Sequence, residues 1–103
     1  MKYQLVLQLP SSSSREDYAR LLSIEETIRS KLDDSGVVDG HDIGSGEMNV
    51  FVHTDEPRAS LEKILSILKD RTDLLELKAG YRDFDDDEYV PVFPASLRRF
   101  TVV

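Results

Sequence analysis

VDGHDIGSGEMNVFVHTDEP, residues Val38 to Pro57, carries a glycine-rich turn between two strand-like runs and a helix start, and the topology hinges on it. Read at period two, Met48 to Thr54 is a half-buried strand with Val50 and Val52 inward and Asn49, Phe51 and His53 outward. Gly44-Ser45-Gly46 turns the chain ahead of it, and Val37 to Ile43 supplies a weaker partner strand. A rival turn at Asp39-Gly40 suits a two-residue hairpin but leaves the first strand too short. At the far end, Thr54 or Asp55 can cap a helix that carries Pro57 in its first turn.

The flanks extend this reading in both directions. Residues 2–9 alternate, with Tyr3, Leu5, Leu7 and Leu9 on one face and Gln4, Val6 and Gln8 on the other, as a strand does. Pro10 and four serines end it. Ser13 followed by Glu16 reads as a capping box. Tyr18, Leu21, Leu22, Ile28 and Leu32 then recur at helical spacing. Asp33 to Gly36 stop that helix, with Gly36 suited to a left-handed cap. Leu61, Ile64, Leu65 and Leu68 form the stripe of a second helix, and Leu75, Leu77, Ala79 and Tyr81 alternate as a fourth strand.

Strand, helix, strand, strand, helix, strand is the order of the split βαβ motif, and over residues 2–82 the chain resembles the ferredoxin-like plait. The likeness lies in element order alone, and small proteins of this order are often bacterial. It implies an α+β domain: a four-stranded antiparallel sheet ordered 4-1-3-2, two helices on one face and the other face open. Such a fold hosts many functions and selects none. The expected division is a core at 1–82, followed by an acidic loop and an apolar tail at 83–103. That tail, with Tyr89, Leu97, Phe100, Val102 and Val103, is too apolar to lie free in solvent. It can pack on the open face, extend a sheet edge or dock on a second subunit. Pro91 and Pro94 exclude a central strand there.

At 103 residues the chain fits one domain. Thirteen basic against twenty acidic residues, a net charge of −7, disfavour nucleic acid and anionic membrane surfaces and favour a basic protein partner. Without cysteine there is no disulfide, thiolate metal site or thiol nucleophile. The start, MKYQLVLQLP, lacks the features of a signal peptide. No stretch approaches the ~20 apolar residues of a membrane helix. These features suit a cytoplasmic protein.

Candidate chemistry centres on the hairpin. With a three-residue loop, Asp39 faces His53 on the open side, with His41 nearby. With a two-residue loop, Asp42 faces Asn49, Gly40 faces Phe51, and Asp39 and His41 turn inward, because a one-residue slip swaps every side chain across the sheet. A carboxylate beside an imidazole suits a general base, and two histidines with an acid suit zinc. Asp39, His41 and His53 are therefore the candidates for a small enzyme or a metal site. The plainer reading is a polar edge hairpin with no catalytic residue, no metal and no cofactor.

Asp42, Glu47, Asn49, Phe51, Asp85, Asp86 and Asp87 are the candidate ligand or partner surface. The acidic run at 83–88 lacks the glycine and terminal glutamate of a calcium loop. Arg98-Arg99 reads as the flank of the apolar tail, paired with the acidic surface, with anion binding as the alternative. The leading expectation is a non-catalytic module acting through protein contact, of immunity or inhibitor type or as a homodimer through Val6 and Phe51. A small-ligand sensor is a further alternative.

Overall fold

The structure, a computed structural model, describes residues 1–12 and 14–102. Its elements run β1 (Tyr3–Pro10), α1 (Arg15–Lys31), β2 (Val37–Gly44), β3 (Glu47–Thr54), α2 (Pro57–Leu68), β4 (Lys78–Asp83) and β5 (Val90–Phe93). The strands form one antiparallel sheet in the order β2-β3-β1-β4-β5. This is an α+β arrangement compatible with a ferredoxin-like plait. It differs from the expected sheet in having five strands rather than four.

The alternation in β1 and β3 builds the main core. Leu5, Leu7, Leu9, Met48, Val50 and Val52 meet Leu21, Ile24 and Ile28 of α1 and Leu61, Ile64 and Leu68 of α2. Both helices therefore lie on one sheet face. The α1 stripe is rotated from the expected one. Tyr18 and Leu22 are exposed, whereas Ile24 and Glu25 are buried. Leu32, expected inside the helix, is its extended C-cap residue.

Several boundaries depart from the sequence reading for local reasons. Ser13 lies outside the described residues, and the α1 N-cap is Ser14, whose hydroxyl accepts the Asp17 N–H at 3.1 Å. Gly36 does not adopt a left-handed cap; a Cβ there would come within 3.0 Å of Val52 and 3.1 Å of the His53 carbonyl, so close packing explains the glycine. Neither Thr54 nor Asp55 is the α2 cap. The N-cap is Glu56, and Pro57 opens the helix. The Thr54 hydroxyl takes the Glu56 N–H at 2.9 Å, and Asp55 accepts the Lys2 N–H at 2.9 Å. Buried Thr54 and Ser60 converge on the Ser35 carbonyl, which ties β3, α2 and the α1–β2 loop together. β4 begins at Lys78, because Leu75 is exposed and Glu76 sits at positive φ.

The second sheet face is closed by the chain itself. β5 adds to the edge beside β4, where Pro91 within it lacks a donor that a central strand would need, and Pro94 follows its end. The chain then returns across the sheet. Phe100, 6% exposed, lies on Gly80, the β4 residue opposite Val6 of β1. A Cβ at Gly80 would stand 2.5 Å from the Phe100 ring, so only glycine leaves room. Val6 is fully buried, and the open face expected to receive a second subunit there is covered. Tail packing and edge extension, offered as alternatives by the sequence, both occur.

Gly80→Ala is expected to cost about 1–3 kcal/mol through overpacking, and Phe100→Ala about 3 kcal/mol through the lost ring. In the Phe100→Ala background the Gly80→Ala cost should nearly vanish, since the clash is then gone. Urea denaturation of the four variants measures that coupling; additive penalties would contradict the packing.

Candidate functional site

The hairpin resolves through a turn and a bulge. Gly44 pairs with Glu47 around a two-residue loop, Ser45-Gly46, with φ of 55° and 82°. Positive φ at both positions matches a turn whose twist fits a tight hairpin. The turn-proximal register is thus the two-residue one: Asp42 opposite Asn49, His41 opposite Val50, Gly40 opposite Phe51. Between Val38 and Gly40 the register shifts, leaving Asp39 as the extra residue of a β-bulge. The rival turn signal at Asp39-Gly40 marks this irregularity.

The bulge changes the side-chain parity along β2. His41, before Asp42, points to the helix face, where its Nδ1 lies 3.0 Å from the Glu25 carboxylate of α1 and its ring lies edge-on to Tyr18 at 5.9 Å. Asp39 stays with the opposite face, its carboxylate 3.5 Å from His53 Nε2. The ring of His53 in turn meets Phe84 edge-on at 4.9 Å. The structure therefore makes the Asp39–His53 pair but separates it from His41 by the thickness of the sheet. No group of three His, Asp or Glu side chains with metal-holding geometry occurs among the described residues.

Glu25 was not anticipated as the partner of His41. Its signal was an acid on the buried stripe, four residues after Leu21 and three before Ile28. Its side chain is 8% exposed, with Arg29 at 3.6 Å as a second partner.

The expected surface residues divide between structure and rim. Asp42 accepts the Asn49 amide at 2.8 Å, Asn49 accepts the Gln8 amide at 3.0 Å, and Gln8 also donates to the Thr101 carbonyl at 2.9 Å. Asn49 is buried, so this chain of bonds fastens the tail. Glu47 and Phe51 are half-buried in β3. On the other side of the tail, Gln4 accepts from Arg82 at 3.1 Å and from the Tyr89 hydroxyl at 2.8 Å. Asp85, Asp86 and Asp87 are exposed in a folded loop, held by the Asp85 N–H on Asp83 and by Arg82 on the Asp86 carbonyl.

Beside this tail lies an open groove of about 630 Å³. Tyr89, Pro91 and Phe100 give it apolar walls. One lining segment carries Asp87 and Glu88, the other Arg98 and Arg99. Among the described residues these four side chains make no hydrogen bond or ion pair. The expected pairing of Arg98-Arg99 with the acidic surface is therefore not made among the described residues. The sequence signal was a pair of arginines beside Phe100; the groove itself needs the folded tail.

Three carboxylates outside this face are held below the ordinary carboxylate range, and each ties a loop. The Ser12 N–H, the Ser12 hydroxyl and Arg20 hold Asp17 down; Arg71 holds Asp73 down. Lys63, at 2.6 Å, and then Ser35 hold Asp33 well below its usual value, joining the end of α1 to α2.

No family model matches the chain, and neither a curated protein nor a solved structure matches it. No helix among the described residues is long and apolar enough to cross a membrane.

His41→Ala, which leaves the buried Glu25 carboxylate with Arg29 alone, is expected to cost about 1–3 kcal/mol. Asp39→Ala, at the exposed pair, should cost within roughly 0.5 kcal/mol. Chemical denaturation gives both, and equal penalties would argue against the burial difference. Asp33 makes a signed pH prediction. Its folded pKa is depressed, so its contribution is present above the unfolded value of about 3.9 and fades as the pH falls through the acid range. The stability gap between the wild type and Asp33→Asn should be open at neutral pH and narrow in acid.

Proposed function

We propose that this protein is a non-catalytic binding module that acts through protein–protein contact, built on a ferredoxin-like plait whose second face is sealed by its own tail. The observation carrying this reading is the groove of about 630 Å³ beside the tail, with apolar walls and four charges of both signs that have no partner among the described residues. Apolar walls supply non-directional affinity, and fixed charges at a rim set orientation and on-rate. The exposed acids at 85–88 and the exposed arginines at 98–99 favour a partner surface that carries both signs of charge. Asp42 and Asn49, expected at a contact surface, act here as the fastening beneath that groove.

A catalytic reading would rest on Asp39 and His53. That pair lies at 3.5 Å between exposed Asp39 of edge strand β2 and half-buried His53 of β3, with Phe84 rather than a nucleophile on the ring. The groove is the better-equipped surface.

A photo-crosslinking amino acid in place of Val102, in the groove, and of Glu62, an exposed residue of α2, tests the reading in cells that make the protein. Protein adducts are expected from position 102 and not from position 62. Adducts at neither position, or at 62 alone, would overturn the assignment of the groove as the contact surface.

A further inference from the structure

We infer that the occupant of this groove is a second copy of the same chain, bound across a twofold axis. The inference rests on the groove being a protein contact surface and adds the identity of the partner.

The groove is lined by two short segments, 87–91 and 98–102. The first begins with two acids and the second with two arginines, and neither pair is satisfied within the chain among the described residues. A patch that carries acid beside base is complementary to itself when rotated by a half turn. Under a twofold axis, Asp87 and Glu88 of one copy face Arg98 and Arg99 of the other, and the reverse contact forms at the same time. That reciprocity is the defining property of an isologous interface.

Shape follows the same logic. The acidic loop at 84–88 is exposed and leads directly into the 87–91 lining segment, so a projecting loop and a receiving groove adjoin on one chain. Reciprocal insertion of each loop into the other copy's groove closes the pair and leaves no free site for a third chain. Val90, also exposed, adds apolar area beside the groove.

Charge also argues that the contact must be local and specific. Two chains of net charge −7 repel at long range, so association needs opposite charges matched at short distance. The arginine pair supplies the only basic element of that groove lining. A highly acidic peptide would match Arg98 and Arg99 but oppose Asp87 and Glu88. A highly basic one would do the reverse. A copy of the chain satisfies all four.

Sedimentation equilibrium from about 1 µM to about 1 mM protein tests this, since weak dimers appear within that range. The wild type should approach twice the monomer mass. Raising sodium chloride from about 0.05 M to about 0.5 M should weaken the dimer, because exposed charges are screened. Arg98→Glu with Arg99→Glu, and separately Asp87→Lys with Glu88→Lys, should each raise the dimer Kd by roughly tenfold or more. An equimolar mixture of the two double variants should restore a dimer, now heteromeric. The residues are exposed, and circular dichroism checks that both variants fold; Arg98→Gln with Arg99→Gln is the milder substitute if either does not.

A wild type that stays monomeric across the range overturns the inference, as does a dimer indifferent to both variants or a mixture that fails to recover. A monomer whose position 102 still crosslinks to another protein overturns only the self-association and leaves the binding-module reading standing. A monomer with no such adduct removes both.

Discussion

The sheet of this protein has apolar residues on both sides of its central strand, and two helices can cover only one side. Leu5, Leu7 and Leu9 of β1 face the helices, while Val6 faces away and is fully buried all the same. The constraint is met by Phe100, which reaches back over β1 and β4 and rests on Gly80. Around that contact the polar residues of the face find their partners. Gln8 and Asn49 link to the Thr101 backbone on one side of the ring, and Gln4, Arg82 and Tyr89 link on the other. Exposed, these side chains would be an ordinary wet sheet surface. Under the tail they become two bonded clusters, one buried around Gln8 and Asn49 and one half-buried around Gln4.

The acidic loop and the groove follow from the same closure. To bring residue 100 back across the sheet, the chain must leave β4, turn, run along the edge as β5 and turn again. The first turn holds the acids, and the second holds the segment from Pro94 to Arg99, exposed except for half-buried Leu97. The groove is the space between the two return paths. The backbone on each side of it is held to the sheet, through the β4–β5 ladder and the Gln8–Thr101 bond.

Element order was legible from periodicity because β1 and β3 alternate cleanly and α2 has a narrow apolar stripe. The fifth strand was not, since four residues with a proline among them carry almost no strand signal. Side-chain direction in β2 was legible only in halves. The turn sets parity from Gly44 back to Gly40, and a single extra residue reverses it at Asp39. Both alternative registers were therefore half right: His41 follows the two-residue loop, and Asp39 keeps the neighbour that the three-residue loop would give it. A bulge leaves no mark in composition beyond a small flexible pair such as Asp39-Gly40, which is also what a turn looks like. The groove lay further out of reach, because it is made by residues of a tail whose course depends on the finished sheet.

The seating of Phe100 also has a consequence in time. The sheet cannot bury Val6 until Phe100 has left the ribosome, since that ring closes over Gly80, the residue opposite Val6. During synthesis the helix side can assemble first, and the other side stands bare with a valine, two glutamines and a glycine waiting for an aromatic ring. Exposed sheet faces of this kind invite association between nascent chains. The polar residues flanking Val6 therefore have two uses at different moments: they keep an unfinished face wet, and later they hold the cover in place.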